Sequence, residues 1–275
     1  MHYISGGQLH ARFQFGNLQV VSLRDGYIDM PPTRLRDESG SPLDAVPDTV
    51  PIIEGNLRLS VNAFYITDGT QSVLVDTGAA DALDASMGPT MGLLYDALAE
   101  AGIERTDITD VAITHKHGDH VNGLITPDGS EAFPHLQRVW VGAGDTPIFT
   151  GRLTPVADRV VPITAKVTIN DWTTAVPAEG HTPGHTVFDI HSTSGHLLVW
   201  GDTVHVPTLQ FAQPDVSWEL DGDQAQARKA RAGLLEQLTQ PDHYVAGAHL
   251  DSPGIAAVTP APSGYTLNYL APSIS

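Results

Sequence analysis

Residues 114–120 read Thr-His-Lys-His-Gly-Asp-His and follow the apolar run Val111-Ala112-Ile113. His115, His117, Asp119 and His120 therefore fall within six residues, straight after a short strand-like segment. Imidazole and carboxylate are the ligands that zinc and similar divalent ions take. His115 and His117, two apart, can converge on one ion from an extended or turning backbone. Asp119 and His120 come from the next turn and can serve a second ion. Gly118 permits the sharp turn between them. Two ions need more donors than this loop carries, so the fold has to bring further ligands to it.

The chain supplies them at intervals. Gly180-His181-Thr182-Pro183-Gly184-His185 offers two more histidines, and His181 and His185 compete for one ligand role. Val199-Trp200-Gly201-Asp202-Thr203 places an aspartate after an apolar run, and Ala246-Gly247-Ala248-His249 does the same with a histidine. Ligands delivered from strand ends to one rim fit a scaffold whose loops carry the site. Isolated histidines such as His135 and His243 show no such spacing and read as structural.

Composition narrows the partners. Lysine plus arginine is 14 against 32 for aspartate plus glutamate, a formal charge of −18. Such a surface repels phosphate backbones and anionic lipid, so the expected partner is a small-molecule substrate, not nucleic acid or a membrane. There is no cysteine, which removes disulfides, thiolate catalysis and Cys-based zinc sites. Residues 1–20 lack a basic start followed by an apolar stretch, and cytoplasmic residence is the expectation.

With 275 residues, of which 41% are hydrophobic, the chain is long enough to bury a sizeable core. Strand-like runs occur at 18–23, 63–67, 72–75, 111–114, 138–141, 187–191, 197–200 and 244–248. Helical spacing predicts helices over 91–101 and 223–239, closed by Gly102 and Pro241. Strands and helices mix along the whole length, which reads as one α/β domain of layered sheets over residues 1–275. Pro31, Pro32, Pro42, Pro47 and Pro51 make 31–60 an irregular segment, either a lid over the active site or a surface excursion.

The segment His115-Lys116-His117-Gly118-Asp119-His120 resembles the HxHxDH signature of the metallo-β-lactamase-fold superfamily. Val73-Leu74-Val75-Asp76-Thr77-Gly78 is similar to that family's early strand, and the match runs from about residue 60 to 250. The resemblance implies an αββα sandwich. It implies one metal site from His115, His117 and His181, a second from Asp119, His120 and His249, and Asp202 bridging both. Asp76 and His185 would then stand behind the ligands and support them. Trp200-Gly201-Asp202-Thr203-Val204-His205-Val206 with Gln210-Phe211-Ala212 resembles the branch of methyl parathion hydrolase and related lactone and aryl-ester hydrolases. Some quorum-signal lactonases carry tyrosine three residues after the bridging aspartate, where this chain has His205. Family habit also implies a homodimer.

The chemistry expected of two such ions, zinc first and iron, manganese or cobalt as other fits, is attack by a bridging hydroxide on a carbonyl carbon or a phosphorus centre. No serine, cysteine or lysine nucleophile is then needed. Asp119, Asp202 and His205 are the expected catalytic residues, with Asp202, His205 or a metal-bound water handling the leaving group's proton. Phe211 and Trp218, which follow the Asp202 loop, are the expected apolar substrate pocket, ahead of Phe64 and Trp172. The substrate classes that follow are a lactone, an aryl or alkyl ester, or an organophosphate triester. Acyl-homoserine lactones and thioesters of the glyoxalase-II type are alternatives. A di-iron oxidoreductase on the same fold is the reading from another class. His117 disfavours it, because such proteins usually carry glutamate at that position.

Overall fold

The computed structural model describes residues 1–81 and 91–273. Strands β1 (His2–Gly6), β2 (His10–Phe15), β3 (Leu18–Met30), β5 (Leu57–Thr67), β6 (Ser72–Val75), β7 (Asp110–Ile113), β8 (Arg138–Gly142) and β9 (Val160–Ile163) lie side by side in that order as an eight-stranded sheet. Between β3 and β5, β4 (Leu35–Arg36) leaves this run to pair with β14 (Ser217–Trp218). Strands β10 (Val167–Asn170), β11 (Thr173–Pro177), β12 (Thr186–Ser192), β13 (Gly195–Val199), β15 (His243–Ala246), β16 (Ile255–Pro260) and β17 (Tyr265–Tyr269) form a seven-stranded sheet.

Successive strand residues point to opposite faces, and both faces of the central strands are apolar. Phe64, Ile66, Val73, Val75 and Ala112 of the first sheet meet Phe188, Ile190, Leu197, Val199 and Ala246 of the second in one core between the sheets. The alternate residues Ala63, Tyr65, Leu74, Val111 and Ile113 face the other way, onto helix α1 (Leu94–Glu100). Val187, Leu198 and Val245 likewise turn outward, to a cluster that includes Leu235 and Leu238 of helix α4 (Gln224–Leu238). Helix, sheet, sheet and helix stack as four layers, the αββα sandwich of the metallo-β-lactamase fold. Among the described residues no helix is long and apolar enough to cross a membrane.

The expected strands run longer than their apolar cores. The run read at 18–23 continues to Met30, and the one read at 63–67 begins at Leu57. This corrects the irregular segment: residues 57–60 belong to β5, where Leu57 and Leu59 are buried and Arg58 and Ser60 alternate with them. What remains of the segment packs at one rim. Leu35 and Val50 join Val206, Leu209, Val216 and Trp218 in a separate cluster there.

Strand direction fixes where the loops emerge. β6, β7 and β8 are mutually parallel, so the loops after their C-terminal ends leave on one edge. In the second sheet β13 and β15 are parallel, and β11 is antiparallel to β12, which is antiparallel to β13. The loops after β11, β13 and β15 therefore share an edge too.

Candidate metal centre

Four of those loops, after β7, β11, β13 and β15, carry the candidate ligands. His115 and His117 follow β7, and the chain turns at once into a short helix, α2 (Gly118–Val121), that holds Asp119 and His120. His181 lies in the loop after β11, Asp202 follows β13, and His249 follows β15. Two backbone features let these loops close in. Asp76, just past β6, sits in the left-handed region at φ 61°, which a short polar side chain tolerates. Gly201 sits at φ 54°, and a Cβ there would meet the Thr114 side chain at 2.7 Å and His185 Nε2 at 2.9 Å. Only glycine lets the Asp202 loop come this close to the His115 loop.

His115, His117, His181 and Asp202 bring one ligand atom each to within 4.8 Å of one another, and Asp119, His120 and His249 do the same. Asp202 stands between the two groups. Its Oδ2 is 3.3 Å from His181 Nε2, 3.5 Å from His115 Nε2 and 3.2 Å from His249 Nε2. Its Oδ1 is 3.1 Å from His120 Nε2. Asp119 Oδ2 lies 3.4 Å from His120 Nε2 and 3.6 Å from His249 Nε2. Even so, among the described residues the buried His115 Nε2, His120 Nε2 and Asp202 Oδ1 have no hydrogen-bond partner, because the close atoms are misaligned for one. Donor atoms about 2.0–2.2 Å from a tetrahedral ion lie about 3.3–3.6 Å from each other. Five imidazoles and two carboxylates at this spacing, with orphaned nitrogens aimed inward, fit two divalent ions of the zinc type.

The far side of most rings is tied down. His120 Nδ1 is 2.8 Å from Asp76 Oδ2, and Asp76 Oδ1 accepts from the Thr114 amide at 2.8 Å. His249 Nδ1 is 2.7 Å from the Ser60 carbonyl. His181 Nδ1 is 2.7 Å from Asp221 Oδ1, while Asp221 Oδ2 accepts from the Trp218 amide at 2.9 Å. These partners fix the tautomer and orientation of each ligand. His185 is different. Its Nδ1 faces the Ala178 carbonyl at 3.0 Å and its Nε2 accepts from the Asp202 amide at 3.2 Å, so both nitrogens are engaged away from the centre.

Two supporting residues escaped the sequence reading. Asp221, in Leu220-Asp221-Gly222-Asp223, reads as an ordinary turn residue before a helix, and nothing local distinguishes it. Asp145 is fully buried, and accepts from the Lys116 amide at 3.1 Å, the Thr182 hydroxyl at 2.5 Å and the Gly184 amide at 3.1 Å. It ties the His115–His117 loop to the His181 loop. A signal for it existed: Val141-Gly142-Ala143-Gly144-Asp145 is an apolar strand followed by Gly-Asp, the same pattern that flagged Asp202.

Burial and mutual charge set the electrostatics. Burial pushes His115 well below the ordinary imidazole range, with the charge of His120 adding to it, and pushes His117 and His205 down to about 4. Burial works against the charge on His120 too, but Asp202, Asp119 and Asp76 outweigh it and hold that ring well above its usual value. For Asp202 burial favours the neutral acid, yet His249, His120, His115 and His205 override it and keep the carboxylate ionised. Against the same burial, the carboxylates also raise His181, to about 9, and His249. Metal binding requires ionised carboxylates and neutral imidazoles, so an ion would displace the protons that Asp202 and its neighbours hold on His120, His181 and His249.

His205 stands at the edge of this centre. Its Nε2 is 3.2 Å from Asp202 Oδ2, and neither ring nitrogen has an aligned hydrogen bond. The ring stacks on Trp218, centroids 4.8 Å apart and planes 13° apart. It also borders a cavity of about 470 Å³ walled by Tyr27, Val50, Ile53, Leu57, Leu59 and Val206. This corrects the expected pocket. Trp218 and Phe211 are 1% and 3% exposed, and neither lines the cavity. Phe211 packs on Trp200 under α4, because the short turn after Asp202 folds it inward. The apolar wall comes instead from β3, β5 and the proline-rich segment. Phe64 and Trp172 lie in the core between the sheets.

A crystal structure described as the hydrolase AbOPH in the beta-lactamase superfamily superposes with a TM-score of 0.81 at 22% identity, covering 96% of this chain and 98% of that one. AidC, described as a dizinc quorum-quenching lactonase in complex with a product, gives 0.80 at 20% identity over 94% of this chain and 96% of that one. A probable metal-dependent hydrolase from Staphylococcus aureus gives 0.78 at 16% identity over 96% and 100%. At these identities the likeness is one of fold. No curated protein matches the chain by sequence. Residues 57–249 match the model of the metallo-beta-lactamase superfamily, a hydrolase fold, and the chain belongs to that superfamily.

Proposed function

We propose that this chain is a two-metal hydrolase that opens lactones, with aryl and alkyl esters and organophosphate triesters as related substrates, in the branch that resembles methyl parathion hydrolase and its lactonase relatives. The observation that carries the reading is the junction at His205, whose ring lies 3.2 Å from Asp202 of the seven-residue ligand set and also borders a mainly apolar cavity of about 470 Å³. His115, His117 and His181 would hold one ion, Asp119, His120 and His249 the other, and Asp202 both. When bound, such ions supply Lewis acidity at a substrate oxygen and hydroxide at neutral pH.

The chain's own residues do the rest. Val50, Ile53, Leu57 and Leu59 hold the apolar body of the substrate and keep water from it. Asp76, Asp221 and the Ser60 carbonyl hold the ligand rings in one orientation. His205, kept neutral by burial and fixed by its stack on Trp218, accepts a proton from the attacking water and hands it on to the leaving alkoxide. The likeness to AidC, a lactonase, supports the choice of lactones within this set.

The test pairs elemental analysis with a hydrolysis panel on one sample: an aromatic lactone, an acyl-homoserine lactone, an aryl ester, methyl paraoxon and a penicillin. About two zinc-type ions per chain with lactone turnover fastest is the expected result. Protein that takes up no metal from excess zinc would overturn the mechanism. Metal-loaded protein that hydrolyses none of the panel would overturn the substrate class.

A further inference from the structure

A second group of ligand-type side chains lies on the outer face of the seven-stranded sheet. Phe188, Ile190, Leu197 and Val199 point into the core between the sheets. Strand alternation therefore sends Asp189, His191 and His196 to the opposite face. His191 and His196 are direct cross-strand partners on β12 and β13, and His196 is in register with His243 on β15. His196 Nδ1 is 3.1 Å from Asp189 Oδ1, and His191 Nε2 is 3.5 Å from Asp189 Oδ2. One ligand atom from each of the three lies within 4.8 Å of the others. The two imidazoles meet edge to face at 4.7 Å, and the His243 ring stacks flat on His196 at 4.7 Å and 6°.

We propose that Asp189, His191 and His196 form a further divalent-metal site, remote from the catalytic centre, that staples β12 to β13. Measured from the one oxygen Asp189 Oδ2, His196 Nδ1 lies at 3.4 Å and His191 Nε2 at 3.5 Å, the about 3.3–3.6 Å of donors sharing one tetrahedral ion; an ion there would replace the His196 Nδ1–Asp189 Oδ1 hydrogen bond. The Asp189 side chain is 12% exposed, whereas the histidines are 40% and 36% exposed, so an ion reaches the site from solvent and keeps a water in its fourth position. His243 Nδ1 is 2.9 Å from the Pro241 carbonyl, which fixes this ring as a platform that holds His196 in its rotamer. Two imidazoles and one carboxylate favour zinc, nickel or copper over magnesium or calcium. The charge of −18 raises the local concentration of any divalent cation. Because the ion bridges two strands of the folded chain, it stabilises the native state.

The experiment is calorimetric titration of the fully metal-loaded enzyme with zinc, alongside its thermal unfolding. The loaded protein is expected to bind one further equivalent at micromolar affinity and to melt higher as zinc is added. In His191→Gln and His196→Gln that equivalent should bind at least tenfold more weakly and the zinc-dependent rise in Tm should vanish, with hydrolysis unchanged. Copper at one further equivalent should show nitrogen hyperfine coupling in its electron paramagnetic resonance spectrum, lost in the same variants. An additional equivalent that both variants bind as tightly as the parent, or none at all in the parent, would overturn the proposal.

Discussion

At the scale of single residues the candidate centre divides into groups placed to hold ions and groups that orient them. The first kind was legible in the sequence because ligand chemistry restricts residue type: His115, His117, Asp119 and His120 crowd one turn, and Asp202 and His249 each end an apolar strand. The second kind was half legible. Asp76 is marked by its strand-end position, while Asp221 reaches His181 across 40 residues of sequence and only folding joins them. Asp221→Ala is expected to weaken metal retention by about 10- to 100-fold. Zinc content after dialysis against a competing chelator reads this out, and full retention would remove Asp221 from the centre. His205 is separable from the ligands. His205→Ala should lower kcat by about 10²- to 10⁴-fold while both ions stay bound. An unchanged kcat would move the proton transfer to another group.

Elements show why some chemistry depends on backbone alone. The Asp202 loop reaches the ligand cluster because Gly201 has no side chain to collide with Thr114 and His185. Gly201→Ala adds both a clash and a strained φ, so it should lower stability by about 1–3 kcal/mol and loosen the Asp202 position. Urea unfolding together with metal content tests this, and a variant identical to the parent in both would show that the loop has slack. Beside the loop just past β6, on the same edge as the centre, Asp25 accepts the amides of Ala79, Gly92 and Leu94, the last at the start of α1. It is fully buried, and burial, only partly offset by those amides, pushes its pKa up to about 6. The folded chain then holds a proton that the unfolded chain releases between about pH 4 and pH 6, so stability falls as pH rises through that window. Compared with Asp25→Asn, the parent should lose about 1–3 kcal/mol from pH 4 to pH 7. Asp119 also raises Asp25 through its charge, so the comparison is made with both proteins in the same metal state and reads Asp25 together with that coupling. A constant difference across that range would place the group's pKa at its ordinary value.

For the whole molecule, the sandwich was readable because alternating apolar residues mark strands, and their mixing with helices marks layers. The polar-edged strands were not. β1 is exposed throughout, and β10 pairs only with β11 in its sheet, so neither carries the alternation that burial on one face imprints. The cavity lining was misplaced for a related reason: Phe211 and Trp218 have the right residue type near the right loop, but aromatic side chains bury wherever a core is offered. The same architecture makes a last prediction about stability. His115, His117, Asp119 and His120 extend from the first sheet, and His181, Asp202 and His249 from the second. Ions held by both sets cross-link the two sheets of the folded state and have no comparable site in the unfolded chain. With free zinc at about 1,000 times its dissociation constant, each ion bound adds about 4 kcal/mol. For a domain of this size that is a rise in Tm of about 8–16 °C per ion. Stripping one ion should lower Tm by that amount and stripping both by about twice as much, and adding zinc back should restore it. The same treatment of His120→Ala, which keeps the His115–His117–His181 set, should show a smaller change. If verified metal-free protein melts at the temperature of the loaded form, the ions do not join the two sheets, and the ligand set owes its geometry to packing and hydrogen bonds alone.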